Sequence, residues 1–276
     1  MSEPQTRATA FAERMAGLCF GTPDADRAVA IVGVCGNAAM REWTDRVDAA
    51  GPAPDAADIA HAFEIIASMA EATAHLADRL SAGGPMRSLR RRLDARSRSR
   101  IVDETRRAAA SLSSSREEIA RLCDWSASIR DQAQTTIALL AAEVETLVDL
   151  SSILPARPSV DPDVRVAAVA ACETRVREIA QAIEAIAGAR RVAGEAYDAA
   201  GCAISAIESA EEAAASHLDE AEAGDADAAS LACETLSDLP PPPEFELTPV
   251  SESASVSARL VRILPDATTN NQEQPR

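Results

Sequence analysis

The chain has 276 residues, of which 47% are hydrophobic, and a formal charge of −17 from 27 basic and 44 acidic side chains. That length fits one large or two small domains, and the apolar share suffices to bury a core. With only four Phe, one Tyr and two Trp, a thick interior of bulky side chains is excluded, and the abundant Ala favours close helix pairs instead.

In chain order, residues 5–20 place Ala8, Phe11, Met15 and Leu18 at helical spacing, a short amphipathic helix that stops near Gly21-Thr22-Pro23. Asp24 then caps a second helix running to about Ala50, with Val29, Val32, Met40, Trp43 and Val47 on its buried face. Its middle, Ile31 to Gly36, holds two glycines, each costing on the order of 1 kcal/mol relative to Ala inside a helix. β-branched residues beside them would also suit a short strand. The same run is no phosphate loop, since the G-x-x-x-x-G-K-[ST] spacing and its Lys are missing. After a break at Gly51-Pro52-Ala53-Pro54, Ile59, Phe63, Ile66, Met69, Thr73, Leu76 and Leu80 make a third helix, ended by Gly83-Gly84-Pro85. His61 and His75 on it read as surface residues rather than metal ligands.

From Arg87 to Arg107 there are nine Arg against three acids. Arg87, Arg90, Arg91, Arg92, Arg96, Arg98 and Arg100 together form a patch suited to nucleic acid, a nuclear address or an anionic membrane surface. A competing partner lies in the same chain, because the stretch from Val192 to Ala258 holds fifteen acids and no Arg or Lys. Folding the chain about residue 158 would set Arg87–Arg107 beside residues 209–229, which include Glu211, Glu212, Asp219, Glu220, Glu222, Asp225 and Asp227. The expectation is therefore a charge zipper within the chain, with an external polyanion as the alternative. Single exposed pairs contribute only about 0–1 kcal/mol, so such a zipper sets register more than stability.

The longest pattern runs from Ser115 to Leu218. Ile119, Leu122, Ser126, Ile129, Ala133, Ile137, Leu140, Val144 and Leu147 follow at steps of three and four, the seam of an antiparallel coiled coil. A second arm repeats it through Cys172, Val176, Ile179, Ile183, Ile186, Ala193, Tyr197, Ala200, Ile204 and Ile207, interrupted at Arg190 and Glu211. Between the arms, Pro155, Pro158 and Pro162 forbid a continuous helix, so the chain turns there. Asp161-Pro162 supplies an N-cap followed by proline at the first helical position. The serines at 111 and 113–115 and the capping box Ser115-Arg116-Glu117-Glu118 predict a helix restart or kink in the first arm. Trp125 lies off the seam, and Gly188, Gly194 and Gly201 are expected to permit close helix approach.

After about Gly224 the helical signal weakens, and the tail is expected to be acidic and disordered. Within it, Leu239-Pro240-Pro241-Pro242-Pro243-Glu244-Phe245 presets a polyproline II helix. A large apolar residue ahead of four prolines, with acids around them, resembles the LPPPP ligands taken by EVH1 domains of actin-regulating proteins, which implies a partner-binding role for Leu239, the prolines and Phe245. A plain proline spacer is the alternative. The later run Val256 to Leu264 is an apolar patch with two Arg that folds back on the body or binds a partner.

Six scattered cysteines lack the spacing of a disulfide framework or zinc site. No Lys occurs at all. GC-rich coding accounts for that, and selection against lysine-directed modification in a host is the sharper alternative. No apolar run approaches the roughly 20 residues of a membrane span, and the polar start lacks the regions of a signal peptide, so the expectation is an intracellular protein, in the cytoplasm, a host cell or a virion.

The sequence therefore predicts an all-α chain: an amino-terminal helical subdomain over residues 1–84, a long coiled-coil-like hairpin over 85–224 and a disordered, proline-containing tail over 225–276. It predicts no enzyme, cofactor, metal site or small-molecule substrate, but a scaffold or adaptor binding another protein or itself. The alternatives are a host-directed effector or virion component using the proline motif, and an amphipathic coat on a lipid or granule surface.

Overall fold

A computed structural model describes residues 25–54, 57–81, 87–156, 160–243 and 248–263; the side chains of 87–94, 248–251 and 263 are outside the description. The expected helix at 5–20, the stop at 83–85, Pro158, and Phe245 also lie outside it. Every regular element among the described residues is helical. In order they are α1 (Ala25–Gly33), α2 (Asn37–Ala50), α3 (Ala57–Ser81), α4 (Arg87–Ile153), α5 (Pro162–Ala223), α6 (Ala226–Ser237) and α7 (Thr248–Ile263), with a 3-10 turn at Leu154–Ala156 closing α4.

The 67 residues of α4 and the 62 of α5 are the two arms of the antiparallel hairpin. Their reversal follows the sequence closely. The Asp161 side chain accepts the Asp163 N–H at 2.8 Å, its carbonyl accepts the Arg165 N–H at 3.0 Å, and Pro162 opens α5. The Arg165 Nη1 reaches back to the Pro155 carbonyl at 3.4 Å.

Chain contacts gather into two compact units. The first comprises Met1–Pro52, Ser128–Ala193 and Thr248–Arg276; the second comprises Ala53–Ala127 and Gly194–Leu247. The expected division at residues 84 and 224 follows the chain, whereas these units follow contact, and each combines short helices with a section of both arms.

Both arms bury side chains at alternating steps of three and four, a heptad rhythm. Of the predicted seam, Ile119, Leu122, Ile129, Leu140, Ile179 and Ile186 are buried. Ile137, Val144, Val176, Ile183, Tyr197 and Ile204 are not; they are half-buried at the seam's flank. On α5 the buried position is the residue before the large one: Arg175, Ala182, Ala196 and Ala203. At 182, 196 and 203 that position is Ala, since only a small side chain fits between closely packed helices and its bulkier neighbour lies along the edge; at 175 it is instead an arginine. This also removes the two interruptions, because the seam passes through Ala189 and Ala210 rather than through Arg190 and Glu211.

In the second unit, α3 supplies Ile59, Phe63, Ile66 and Met69 and α4 supplies Leu112, Ile119 and Leu122. These pack against a run of alanines on α5 at 199, 200, 203, 206, 210 and 213, with Leu236 of α6 completing the cluster. The Ala-rich arm is thus covered by helices of its own chain. A neighbouring cluster joins Leu76, Val102, Leu218, Ala221 and Ala229.

In the first unit, α1 and α2 are two helices rather than the single one expected. Gly36 takes a left-handed φ of 79° between them, a conformation open to glycine at no steric expense. A Cβ there would lie 3.2 Å from Ile179 Cδ1 and 3.3 Å from Leu140 Cδ2, so the turn sits directly on the arms.

Three further expectations are corrected. No helix restarts at the serines: α4 runs through them, Ser115 is buried, and Ser111 Oγ donates to the Ala108 carbonyl at 2.7 Å, a local bond that lets serine sit inside a helix. Gly188, Gly194 and Gly201 mark no close approach, since a Cβ at each would meet nothing within 4 Å. The span 225–276 is not wholly without structure. Asp225 caps α6, accepting the N–H groups of Asp227 at 2.9 Å and Ala228 at 3.3 Å, and α7 forms further on.

Candidate functional site

Three places stand out, of which the sequence anticipated the first and offered the third as one of two readings. In the second unit, Arg106 of α4 pairs with Asp219 and, at 3.0 Å, with Glu222 of α5. Arg116 pairs with Glu208 and, at 3.5 Å, with Glu211. Ser99 Oγ adds a bond to Glu222 at 3.0 Å. Arginines of the first arm therefore meet the late acids, but through other members than the seven singled out. Arg100 pairs with Glu104 of its own helix at 2.9 Å. Arg96 is exposed, and Arg87, Arg90, Arg91 and Arg92 belong to α4 with side chains outside the description. Arg98 is partly buried, its Nη1 at 2.8 Å from where a Cβ on Gly224 would stand. Gly224 follows the last turn of α5 with φ 106°, so the guanidinium sits at the negative end of that helix. The partners lie eight to twelve residues further along α5 than a fold about residue 158 would set them. Long Arg side chains can account for only a few residues of that offset at about 1.5 Å of rise each; the remainder is a shift in arm register.

The second place was missed by the sequence reading. Arg175, 2% exposed, occupies a heptad position of α5 in the first unit. Its Nε donates to the Cys35 carbonyl at 2.8 Å, Nη1 to Glu178 Oε2 at 2.8 Å, and Nη2 to Asn37 Oδ1. The Cys35 and Asn37 ends of this fork flank Gly36, so one buried cation ties the α1–α2 turn to the hairpin. A buried charge is tolerated only when its donors are met, and here each nitrogen has an acceptor. Burial pushes the Glu143 carboxyl above its usual range, although the positive charge of Arg175 pulls the other way. A cavity of about 360 Å³ adjoins this centre, lined by Val29 and Gly33 of α1 and by Ala167, Ala170, Thr174 and Arg175 of α5, among others. Its walls are mostly small and apolar, and its two charged side chains, Arg175 and Glu178, pair with each other.

The third place is where α7 lies on α2. The Trp43 indole N–H donates to Ser257 Oγ at 3.2 Å, inside the protein, and Ser257 Oγ donates on to the Ala254 carbonyl at 2.7 Å. Arg262 pairs with Asp48 at the surface. The apolar patch with two Arg therefore folds back on the body. A pattern of small residues at 254, 257 and 258 followed by Val261 was the available signal.

Of the proline motif, Leu239 packs against the large cluster of the second unit, while Pro240, Pro241 and Pro242 are exposed. Trp125 is half-buried. His61 and His75 are exposed beside Glu64 and Glu71, each at 3.8 Å. Among the described residues no cluster of three or more His, Cys, Asp or Glu could hold a metal ion, and no helix is long and apolar enough to cross a membrane.

No family model matches this chain, and neither does any curated protein or solved structure.

Proposed function

We propose that the protein is a non-catalytic helical scaffold that binds another protein, or a second copy of itself, through its hairpin. The observation that carries this reading is a set of large apolar side chains outside the seam on both arms of the first unit: Leu139 and Val148 of α4, about half exposed, and Val166 of α5, 69% exposed. Nine residues, two and a half turns, separate Leu139 from Val148, so they offer a partner contact points on two sides of α4, each held by a rigid helix with little ordering to be done on binding. The buried charge of Arg175, by contrast, is engaged in holding helices together.

Light scattering over a concentration series tests the self-binding form. The wild type should gain mass with concentration, and a Leu139→Ser, Val166→Ser double variant should lose that gain while keeping its helical circular dichroism. An unchanged association in the variant would remove the hairpin surface from the account.

A host-directed effector reading rests on the exposure of Pro240 to Pro242. Titration of an EVH1 domain with the full chain decides it. Because Leu239 is engaged in the core, binding at or below about micromolar Kd would require that residue to leave its place.

A further inference from the structure

We infer that the α2 face carrying Trp43 is a helix-binding site that α7 fills within one chain and that the α7 of a second copy fills in a dimer. The inference rests on the self-association reading above and gives it a mechanism.

Four observations lead to it. First, the seat is specific. A fully buried indole donates to a buried serine hydroxyl 214 residues away in sequence, and Arg262 meets Asp48 at the rim. Second, among the described side chains those that the seated helix buries there are small, Ala254, Ser257, Ala258 and Val261. Third, α6 belongs to the second unit and α7 to the first. Residues 238–247 that join them include four consecutive prolines, and a run with fixed φ extends at about 3.1 Å per residue instead of coiling back. Fourth, α7 has a second apolar edge, Val256 and Leu260, about half exposed, which a paired copy can cover. Exchange of an identical terminal element reproduces every contact of the closed chain and adds whatever the two copies bury between them, so it requires no new recognition chemistry.

The rim pair gives a direct test. In an Asp48→Arg variant the new arginine faces Arg262, and in an Arg262→Asp variant the new aspartate faces Asp48. Each variant alone therefore sets like charges against each other at both seats of an exchanged dimer. Mixed one to one, a dimer of one chain of each kind has opposite charges at both seats. The closed chain of each variant carries the same like-charge seat as its exchanged dimer, so each variant alone should keep about the wild-type dissociation constant, whereas the one-to-one mixture should form a mixed dimer about tenfold tighter than either, read by light scattering at about 0.15 M salt. A mixture no tighter than its components would overturn the exchange while leaving association through Leu139 and Val166 standing. A wild type that stays a monomer over the whole range would overturn both. As a second measurement, a synthetic peptide spanning Thr248 to Ile263, added in excess to wild-type dimer, should compete for the Trp43 seat and return the mass to that of one chain; an unaffected dimer counts against the inference.

Discussion

The two units place arginine between helices in opposite ways. In the first, Arg175 is buried in the heptad and each nitrogen of its guanidinium finds an acceptor; in the second, Arg106 and Arg116 bridge the arms from the surface, each about 40% exposed. A buried ion is dangerous to lose because its partners stay behind without water. A surface ion pair is nearly replaceable by solvent. The first unit therefore depends on one residue for the geometry of a turn, whereas the second is held by the Phe63, Ile66 and Met69 layer against alanine, with charge only trimming register.

Substitutions can break or sharpen that contrast. Arg175→Leu should do most, removing about 3–5 kcal/mol by urea unfolding, because Glu178, Asn37 and the Cys35 carbonyl lose their donor. Gly36→Ala should remove about 1–3 kcal/mol, since an L-residue is strained at φ 79° and its Cβ would press on Ile179 and Leu140. Gly188→Ala and Gly201→Ala should each add up to about 1 kcal/mol, as both sit inside α5 with open space where the methyl would go.

Glu143→Gln gives a smaller effect with a defined pH signature. The folded-state pKa of Glu143 lies above its unfolded value, so its favourable contribution is complete below the unfolded pKa and disappears as pH rises through the folded one. The Gln variant should therefore be more stable than wild type at pH 7 and lose that advantage in acid, near and below pH ~4.3. Unfolding curves at both pH values measure it. Last, Arg106→Ala should change stability by less than about 1 kcal/mol, and the difference should fade by about 0.5 M salt, where screening shortens to a few Å.

How much of this was legible depends on what the residues advertise. Periodicity and proline chemistry revealed the hairpin, its reversal at Asp161-Pro162, and the all-α class. The finer seam was misplaced by one residue at Val176, Ile183, Tyr197 and Ile204, because ranking positions by apolar size passes over the Ala at 182, 196 and 203 and the Arg at 175 that are buried instead. Arg175 was invisible because an arginine on a seam reads as an interruption until the acceptors 135 to 140 residues earlier are brought to it. Opposite charge runs correctly suggested that the arms meet, but not which arginines would do so, because long flexible side chains choose partners by local reach. In the tail, α6 and α7 were hidden by a surrounding composition of Ser, Pro and acids, although the Asp225 cap and the small-residue spacing of α7 were both present.

Leu239 has one last bearing on the proline run. Since this leucine is packed against the large cluster of the second unit, the prolines that follow start from an anchored foot, like a mast stepped in a keel. Proline fixes φ, so Pro240 to Pro242, exposed just beyond that foot, have little conformational freedom left to lose.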